Sequence, residues 1–459
     1  MNAQVLFENA DFKITHRNTR SDLLVVAFSP MHWPEQRTLG RHWADTVAGK
    51  VPFSWLSIDA KTAHWYCDAK WKPVANLIAE VAARYKLRVG YGHSMGAYGA
   101  LKRSRDYSPC AVLAFAPQWS IEPARVGDFD VRYARVFDGR FHQGMEIKPY
   151  DITARSWIFF DPNFSDDHEH AQRITGSNVS YVHVTQMRHD VIRAAMGSVT
   201  LTYLVMRAVL GGVGATGEIR RIVQRGRRKT SIYLVQLARK ATSRGHAQWG
   251  FSIAARALAS NSQDGAAFVC YLQACSGLGQ SGAAQRLMEE TGIPSLTDGE
   301  LLGAARALAE LGLGKHAAEL LDKSSIADGE NVRNLRIYAE VLISLGQPSQ
   351  AIQLLSKAVA IAPEDPHCLA HLARVLMKSS SHDQHDLANA VRLLSRATTL
   401  DPSVSGFWKS YAYALERHGD VRGAVDAWLV LEGISQIGDK DRQRFDRLRK
   451  IANVASMPS

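Results

Sequence analysis

The pattern of apolar and polar positions divides the chain into two parts with different periods. In the first part, short β-rich runs alternate with runs of helical spacing. The predicted strands cover residues 4–8, 12–15, 23–28, 55–58, 87–91, 111–115, 156–160 and 180–184. Runs such as LLVVAF and AVLAFA are apolar throughout, as a parallel sheet covered on both faces requires. We therefore predict an α/β domain with a mostly parallel sheet and flanking helices.

The second part lacks comparable strands and repeats with a helical rhythm. Glycines stand at positions 245, 279, 312, 346 and 419, so the intervals are 34, 33, 34 and 73 residues. The last interval fits two repeats with an insertion of five residues, which we place in KSSSHDQHD. Apolar residues recur at fixed offsets around Gly346, namely Leu335, Tyr338, Ala339, Leu342, Ala351, Leu355 and Ala358. This pattern resembles the tetratricopeptide repeat over roughly residues 230–435, in about five units.

A glycine-rich segment, GGVGATG, and a basic run separate the two periodicities. Residues 217–229 carry six basic side chains and one acidic one, within a chain of net charge +11. Such a run suits a solvated linker helix better than a phosphate or membrane contact. We predict an α/β domain at 1–212, a linker at 213–230, an all-α helical repeat solenoid at 231–440 and a tail at 441–459.

The composition of the chain is typical of a globular protein. The chain has 459 residues and 46% hydrophobic residues, enough for two or three packed domains. Its five cysteines form no C-x-x-C and its first residues show no signal peptide, so we expect a cytoplasmic protein without metal or cofactor. Residues 194–214 are apolar, but Arg207 interrupts them, which favours a buried helix over a membrane span. Basic residues without interleaved aromatics make nucleic-acid binding unlikely.

One short segment carries a motif for nucleophilic catalysis. In KLRVGYGHSMGAYGALKRS, Ser94 stands between Gly92 and Gly96, after a predicted strand and before a small-residue helix. A nucleophilic serine on a strand-to-helix turn needs small neighbours two positions away, because larger ones collide across the turn. The alternative interpretation is that this segment is a glycine-rich loop without a catalytic role. The strand and the helix around Ser94 favour the nucleophile.

The order of strands, the GHSMG segment and two later loops resemble the α/β-hydrolase superfamily over roughly residues 1–212. The resemblance implies Ser94 as the nucleophile and His189, after the last strand, as the base. The acid is one of Asp161, Asp166 and Asp167, of which we choose Asp167. Asp161 ends its strand too early, and Asp166 remains the alternative.

The resemblance also implies an oxyanion hole made of backbone N–H groups. Met95 should supply one, directly after the nucleophile. The other comes from the turn after LLVVAF, and because Pro30 has no N–H, Ser29 or Met31 remains; we take Ser29. Residues 119–150, which mix aromatics and arginines, are the predicted lid.

These features favour a serine hydrolase, an esterase or an acyltransferase, acting on an ester through a Ser-His-Asp triad. The repeats would then recruit a protein partner or substrate, or mediate self-association. The alternative is a catalytically inactive hydrolase-like scaffold whose repeats mediate protein–protein interaction. A third hypothesis is binding of an anionic polymer through the basic linker. The sequence names neither the acyl group nor the leaving group.

Overall fold

The computed structural model describes residues 3–31, 45–322, 324, 326–379 and 384–454. The chain divides into two compact units, Met1–Lys240 and Ala241–Ser459. The first is built on a mixed β-sheet with helices on both faces, and the second is a run of helix pairs. Among the described residues, no helix combines the length and the apolar character needed to cross a bilayer.

The sheet of the first unit has eight strands in the order β1-β2-β4-β3-β5-β6-β7-β8. Strand β2 pairs antiparallel with β1 and β4, and the pairs from β4 through β3 to β8 are parallel. The strands are β1 Gln4–Glu8, β2 Phe12–Arg17, β3 Leu23–Phe28, β4 Ser54–Ala60, β5 Leu87–His93, β6 Ala111–Phe115, β7 Arg155–Phe160 and β8 Val179–His183.

The central strands form the core because their side chains are apolar on both faces. Every residue of β3 and of β6 is buried, as continuous apolar runs predict. The helices of this unit are α1 Asp45–Ala48, α2 Asp68–Ala83, α3 Met95–Lys102, α4 Ser104–Tyr107, α5 Pro123–Val126, α6 Gly139–His142, α7 Ser165–Arg173, α8 Ser198–Leu210, α9 Ala215–Arg227 and α10 Ser231–Ser243. A 3₁₀ helix, Arg188–Ala195, follows β8.

The segment predicted as a linker at 213–230 is part of the first unit. Helix α9 occupies most of it, and its Ile219 and Val223 are fully buried in the core that covers one face of the sheet. Its Arg220, Arg221 and Arg225 are exposed. Ile219 and Val223 are four residues apart, as one face of a helix requires, but the basic residues around them are typical of a solvated segment. The predicted linker is therefore corrected to a packed helix. Helix α8 is likewise packed through Leu201, Leu204 and Val205.

Helix pairs fill the second unit. Its helices are α11 Ala247–Ser260, α12 Gly265–Leu278, α13 Ser281–Glu290, α14 Asp298–Glu310, α15 Gly314–Asp322, α16 Val332–Ser344, α17 Pro348–Ile361, α18 Pro366–Ser379, α19 Gln384–Leu400, α20 Ser405–His418, α21 Val421–Ile434 and α22 Asp439–Val454. Residues 380–383, within the predicted insertion, lie outside the described residues.

The periodic glycines follow the first helix of successive pairs. Gly279, Gly346 and Gly419 have φ of 65°, 75° and 95°, a left-handed conformation that ends a helix with no clash from a Cβ atom. The repeat positions named around Gly346 are buried, including Leu335 and Ala339 at 0% exposure. The glycine spacing therefore predicted the turns between paired helices.

The predicted tail at 441–459 is a helix through residue 454. Phe445 and Leu448 of α22 are buried against the last helix pair, where Phe445 stacks on Trp428 with ring centroids 6.3 Å apart. The high charge of α22 concealed these two apolar positions, which are spaced as one helix face requires. The predicted tail is therefore corrected for residues 441–454, which belong to a helix that covers the last helix pair.

Candidate active site

Ser94 occupies a sharp turn between β5 and α3. Its backbone angles are φ 55° and ψ −124°, a conformation that L-residues rarely adopt. The Ser94 N–H donates to the carbonyl of Phe115 at 2.9 Å, which ties the turn to the end of β6. The side chain is 6% exposed. The turn therefore holds this hydroxyl at the carboxyl edge of the sheet, next to the N-terminus of α3.

Glycine is required on both sides of Ser94 by close backbone contacts. A Cβ atom at Gly92 would lie 2.3 Å from the carbonyl oxygen of Gly96. A Cβ atom at Gly96 would lie 2.2 Å from the carbonyl oxygen of Phe28. Both distances are far inside van der Waals contact, so any larger residue would displace the turn. The two glycines of the motif are structural requirements of the Ser94 conformation.

His189 and Asp167 form a hydrogen-bonded pair. The imidazole Nδ1 lies 2.7 Å from Oδ2 of Asp167, which is 1% exposed, and the His189 side chain is 27% exposed. Asp167 lies in the first turn of α7, and His189 lies in the 3₁₀ helix after β8. Since a carboxylate only accepts, Nδ1 carries the proton and the other ring nitrogen is the acceptor in the neutral imidazole.

The other two acidic residues proposed for the triad make different contacts. Oδ2 of Asp161 accepts hydrogen bonds from the N–H groups of Met187 and Arg188, each at 2.8 Å. Asp161 thereby fixes the turn that leads into His189. Asp166 accepts from the Ser165 hydroxyl at 2.9 Å and is partly exposed. Neither carboxylate is placed on the imidazole of His189.

Arg132 contacts the second oxygen of Asp167. Its Nη2 lies 2.9 Å from Oδ1 of Asp167 and 2.7 Å from Oδ2 of Asp130, while its Nε also donates to Asp130. Burial alone would raise the pKa of the Asp167 carboxyl, but the hydrogen bonds from His189 and Arg132 and their charges hold that pKa below its usual value. Asp167 is therefore ionised at neutral pH.

A second histidine and carboxylate pair lies behind Arg132. His170 Nε2 donates to Oδ2 of Asp130 at 2.9 Å, and both side chains are fully buried. The N–H of Trp119 donates to His170 Nδ1 at 3.2 Å, which fixes the tautomer. The residues predicted from the sequence do not include this pair, because DHEH is a polar run typical of a solvated helix start. The helical spacing of Asp167 and His170, three residues apart, is the signal that both belong to one buried face.

Two side chains of other segments reach the Ser94 hydroxyl. The Oγ atom lies 3.5 Å from Oε1 of Gln118 and 3.5 Å from the hydroxyl of Tyr133, both at the outer limit of a hydrogen bond. Burial raises the pKa of Tyr133 to about 12, so its hydroxyl remains a donor. No hydrogen bond joins Ser94 to His189 within the described part of the chain. Catalytic hydrogen bonds commonly form only when substrate is present.

Tyr133 and Arg132 belong to the segment predicted as a lid, 119–150. That segment contains α5, a 3₁₀ helix Ala134–Val136 and α6. It places Tyr133 beside Ser94 and Arg132 beside Asp167. The predicted lid therefore supplies side chains to the site.

The predicted oxyanion donor Ser29 is corrected by the sheet hydrogen bonds. Its N–H donates to the carbonyl of Ile58 at 3.0 Å, and its hydroxyl accepts from the N–H of Ala60 at 2.8 Å. This N–H is therefore used by the sheet and is not available to a substrate. Met31, the alternative, is half-buried. Met95 is the first residue of α3, where N–H groups have no partner within the helix.

His93 supports the backbone of His189. Its Nε2 donates to the carbonyl oxygen of His189 at 2.9 Å, and the two rings lie 4.9 Å apart. Burial, with the adjacent His189, lowers the pKa of His93 to about 4. His93 is therefore neutral at physiological pH, and its hydrogen bond holds the position of His189.

Comparison with known proteins assigns part of the second unit. Residues 332–375, which contain α16, α17 and part of α18, match the tetratricopeptide repeat family. This segment is therefore similar to a tetratricopeptide repeat. The match leaves the first unit unassigned, and no curated protein matches the sequence.

Several solved structures are similar to part of this chain. YrrB, described as a tetratricopeptide repeat protein with an unusual peptide-binding site, is 15% identical over 49% of this chain and 93% of that chain, with a TM-score of 0.30. PilF of Pseudomonas aeruginosa is 16% identical over 50% of this chain and 86% of that chain, with a TM-score of 0.32. MamA from Desulfovibrio magneticus is 14% identical over 44% of this chain and 94% of that chain, with a TM-score of 0.29.

Proposed function

We propose that the first unit is a serine hydrolase of the α/β-hydrolase type that acts on an ester. The observation that carries the proposal is the 2.7 Å contact between His189 Nδ1 and Asp167, on the same sheet edge as the strained turn at Ser94. A structural serine needs neither a positive φ nor a buried carboxylate that orients a histidine nearby. The sheet order, with its antiparallel β2, supports the same superfamily.

In the proposed reaction, Ser94 Oγ attacks the ester carbonyl while His189 Nε2 takes its proton. Asp167 holds the imidazole in the required tautomer and stabilises the imidazolium. The N–H of Met95 donates to the developing oxyanion, with Met31 as the proposed second backbone donor. Collapse of the tetrahedral intermediate expels the alcohol, which receives the proton from His189, and leaves an acyl group on Ser94.

The acyl group then passes to water in an esterase or to a second hydroxyl in an acyltransferase. In either case His189 removes the proton from the acceptor and returns it to Ser94. The hydroxyl of Tyr133 lies 3.5 Å from Ser94 Oγ and would donate to a substrate oxygen bound there. We propose that Tyr133 is a further hydrogen-bond donor of the site.

Two assays separate this proposal from the inactive-scaffold alternative. Purified full-length protein should hydrolyse a small p-nitrophenyl ester, and Ser94→Ala should remove that activity while Ser104→Ala, a buried serine of α4, should not. Equal hydrolysis by the wild type and Ser94→Ala would contradict the proposal.

The repeats favour a second function, protein–protein interaction. Residues 332–375 match a repeat family, and stacked helix pairs present extended surfaces on which partner proteins bind. We propose that the array recruits a protein partner or substrate to the hydrolase, and that the protein acts in the cytoplasm. A variant of the repeats that still hydrolyses a small ester but no longer captures the partner in a pull-down would show that the two functions are separate.

A further inference from the structure

The first helices of successive pairs line a groove in the second unit. Helices α16, α18, α20 and α22 all contribute to it, and its volume is about 560 Å³. Its apolar lining consists of Ile343, Val375 and Met377. A concave site of this size with a partly apolar lining can hold several side chains of an extended peptide.

The polar lining of the groove is dominated by cations. Arg374 and Lys378 lie one turn apart on α18, and both side chains are exposed. Neither makes an ion pair with any residue that the structure describes. Arg417 of α20 adds a third cation and donates to the carbonyl of Met377 at 2.5 Å. The acidic lining residue is Glu340, so the groove carries an excess of positive charge.

The charged residues around His371 also show an excess of positive charge. This histidine lines the groove on α18 and is 7% exposed. Burial, together with the cations Arg374, Arg336 and Lys378, lowers its pKa to about 4, although Glu340 lies 4.0 Å away. Among the described residues, the charges of Arg374 and Lys378 are not balanced by an ion pair, which favours an anionic ligand.

The aromatic ring of Tyr413, which lines the groove, is covered by another side chain. Arg444 lies over the face of Tyr413 at 4.4 Å, and the Tyr413 hydroxyl donates to Asp441 at 2.6 Å. Bases of a single-stranded nucleic acid need open aromatic faces on which to stack. Because this ring is occupied, the groove fits acidic side chains better than nucleotide bases.

We propose that this groove binds an acidic segment of a partner protein, whose carboxylates pair with Arg374 and Lys378 and whose apolar side chains contact Ile343. The inference rests on the proposed recruiting role of the repeats and not on the chemistry of Ser94. It assigns the class of partner by charge, since bidentate arginine–carboxylate pairs give both affinity and orientation.

Fluorescence anisotropy with full-length protein tests the proposal. The probe is a fluorescein-labelled oligoglutamate peptide that contains leucines, and an oligolysine peptide of the same length is the negative probe. The groove variant is Arg374→Glu with Lys378→Glu. The matched control is Arg392→Glu with Arg396→Glu, two exposed cations one turn apart on α19 and outside the groove lining.

The acidic peptide should bind the wild type and the α19 control equally and the groove variant at least about tenfold more weakly, which corresponds to a loss of about 1.4 kcal/mol. Equal weakening in the two variants would show non-specific charge attraction and overturn the proposal. No binding of the peptide, or tighter groove-dependent binding of a single-stranded oligonucleotide, would also overturn it.

Two further measurements locate the ligand and separate the two proposals. NMR titration of His371 should show a higher pKa when the acidic peptide is bound, because its carboxylates offset the nearby cations. An unchanged His371 titration in the presence of bound peptide would place the peptide elsewhere and contradict the inference. Fluorophosphonate labelling of the same variants reports on the hydrolase separately, and it should be unchanged by the groove substitutions whether or not the peptide binds.

Discussion

His189 and Asp167 are joined between imidazole Nδ1 and carboxylate Oδ2 at 2.7 Å, and the carboxylate is almost completely buried. The pair is formed by residues that are 22 positions apart in the chain, one at the start of α7 and one after β8. Asp166, the neighbouring residue on the same helix, contacts the Ser165 hydroxyl and Arg132 instead of His189. The proposed function therefore depends on one carboxylate and not on the acidic character of the loop.

Replacement of Asp167 tests this distinction. Asp167→Asn should keep the shape of the site but favour the wrong tautomer of His189, and should lower kcat for a small ester by about 10⁴-fold. Asp166→Asn is the matched control and should leave kcat nearly unchanged. Steady-state kinetics on both variants provide the measurement. A larger loss in Asp166→Asn would assign the acid to Asp166.

Arg132 should influence how the stability of the protein changes at acidic pH. Arg132→Gln removes a group that lowers the pKa of Asp167, so that pKa should rise. In the folded protein the pKa of Asp167 lies below its unfolded value of about 3.9, so its contribution to stability is present above that pH and is lost as the pH falls through the folded pKa.

The acid limb of a stability profile should therefore move to higher pH in Arg132→Gln. Arg140→Gln is the matched control, because Arg140 pairs with Asp138 in the same two-residue spacing but at an exposed site. Thermal unfolding across pH 3 to 7 checks both variants. Identical acid limbs in Arg132→Gln and the wild type would contradict this role of Arg132.

The Tyr133 hydroxyl should contribute to turnover. Tyr133→Phe keeps the ring, which packs edge-on to Trp65 at 4.9 Å, and removes the donor next to Ser94. We expect kcat to fall by about 10² to 10³-fold, as for loss of one hydrogen-bond donor to an oxyanion. Tyr107→Phe, at a buried hydroxyl that bonds the carbonyl of Ala100, serves as a control for packing. Unchanged kcat in Tyr133→Phe would exclude the proposed role.

Helix α9 should be needed for the stability of the first unit. Val223 is fully buried, so Val223→Asp should lower the free energy of unfolding by about 3 kcal/mol or more. Arg221→Asp on the exposed side should change it by less than about 1 kcal/mol. Denaturant unfolding checks both. A helix that acts only as a linker would tolerate the two substitutions equally.

The sequence predicted what depends on local pattern. Continuous apolar runs such as Leu23–Phe28 predicted central strands, and the periodic glycines predicted the turns of the repeats. Two glycines around Ser94 predicted the sharp turn, because a tight turn excludes Cβ atoms wherever it occurs in a fold.

Features that depend on long-range contacts were not predictable in the same way. Asp130 and His170 are buried together although 40 residues separate them, and each lies in a segment whose composition is typical of a surface. Ser29 was assigned from its place after a strand, but the pairing of β3 with β4 decides where its N–H goes. Basic residues concealed the buried side of α9, since few apolar positions suffice to pack one face of a helix.

Peptide mapping of a fluorophosphonate adduct tests the central claim most directly. Full-length protein is labelled, digested and analysed by mass spectrometry beside Ser94→Ala and the matched control Ser104→Ala. The proposed hydrolase predicts a single stoichiometric adduct on Ser94, retained in Ser104→Ala and absent from Ser94→Ala. The proposal is contradicted if the folded protein carries no adduct on Ser94. It is also contradicted if Ser94→Ala is labelled to the same extent as the wild type.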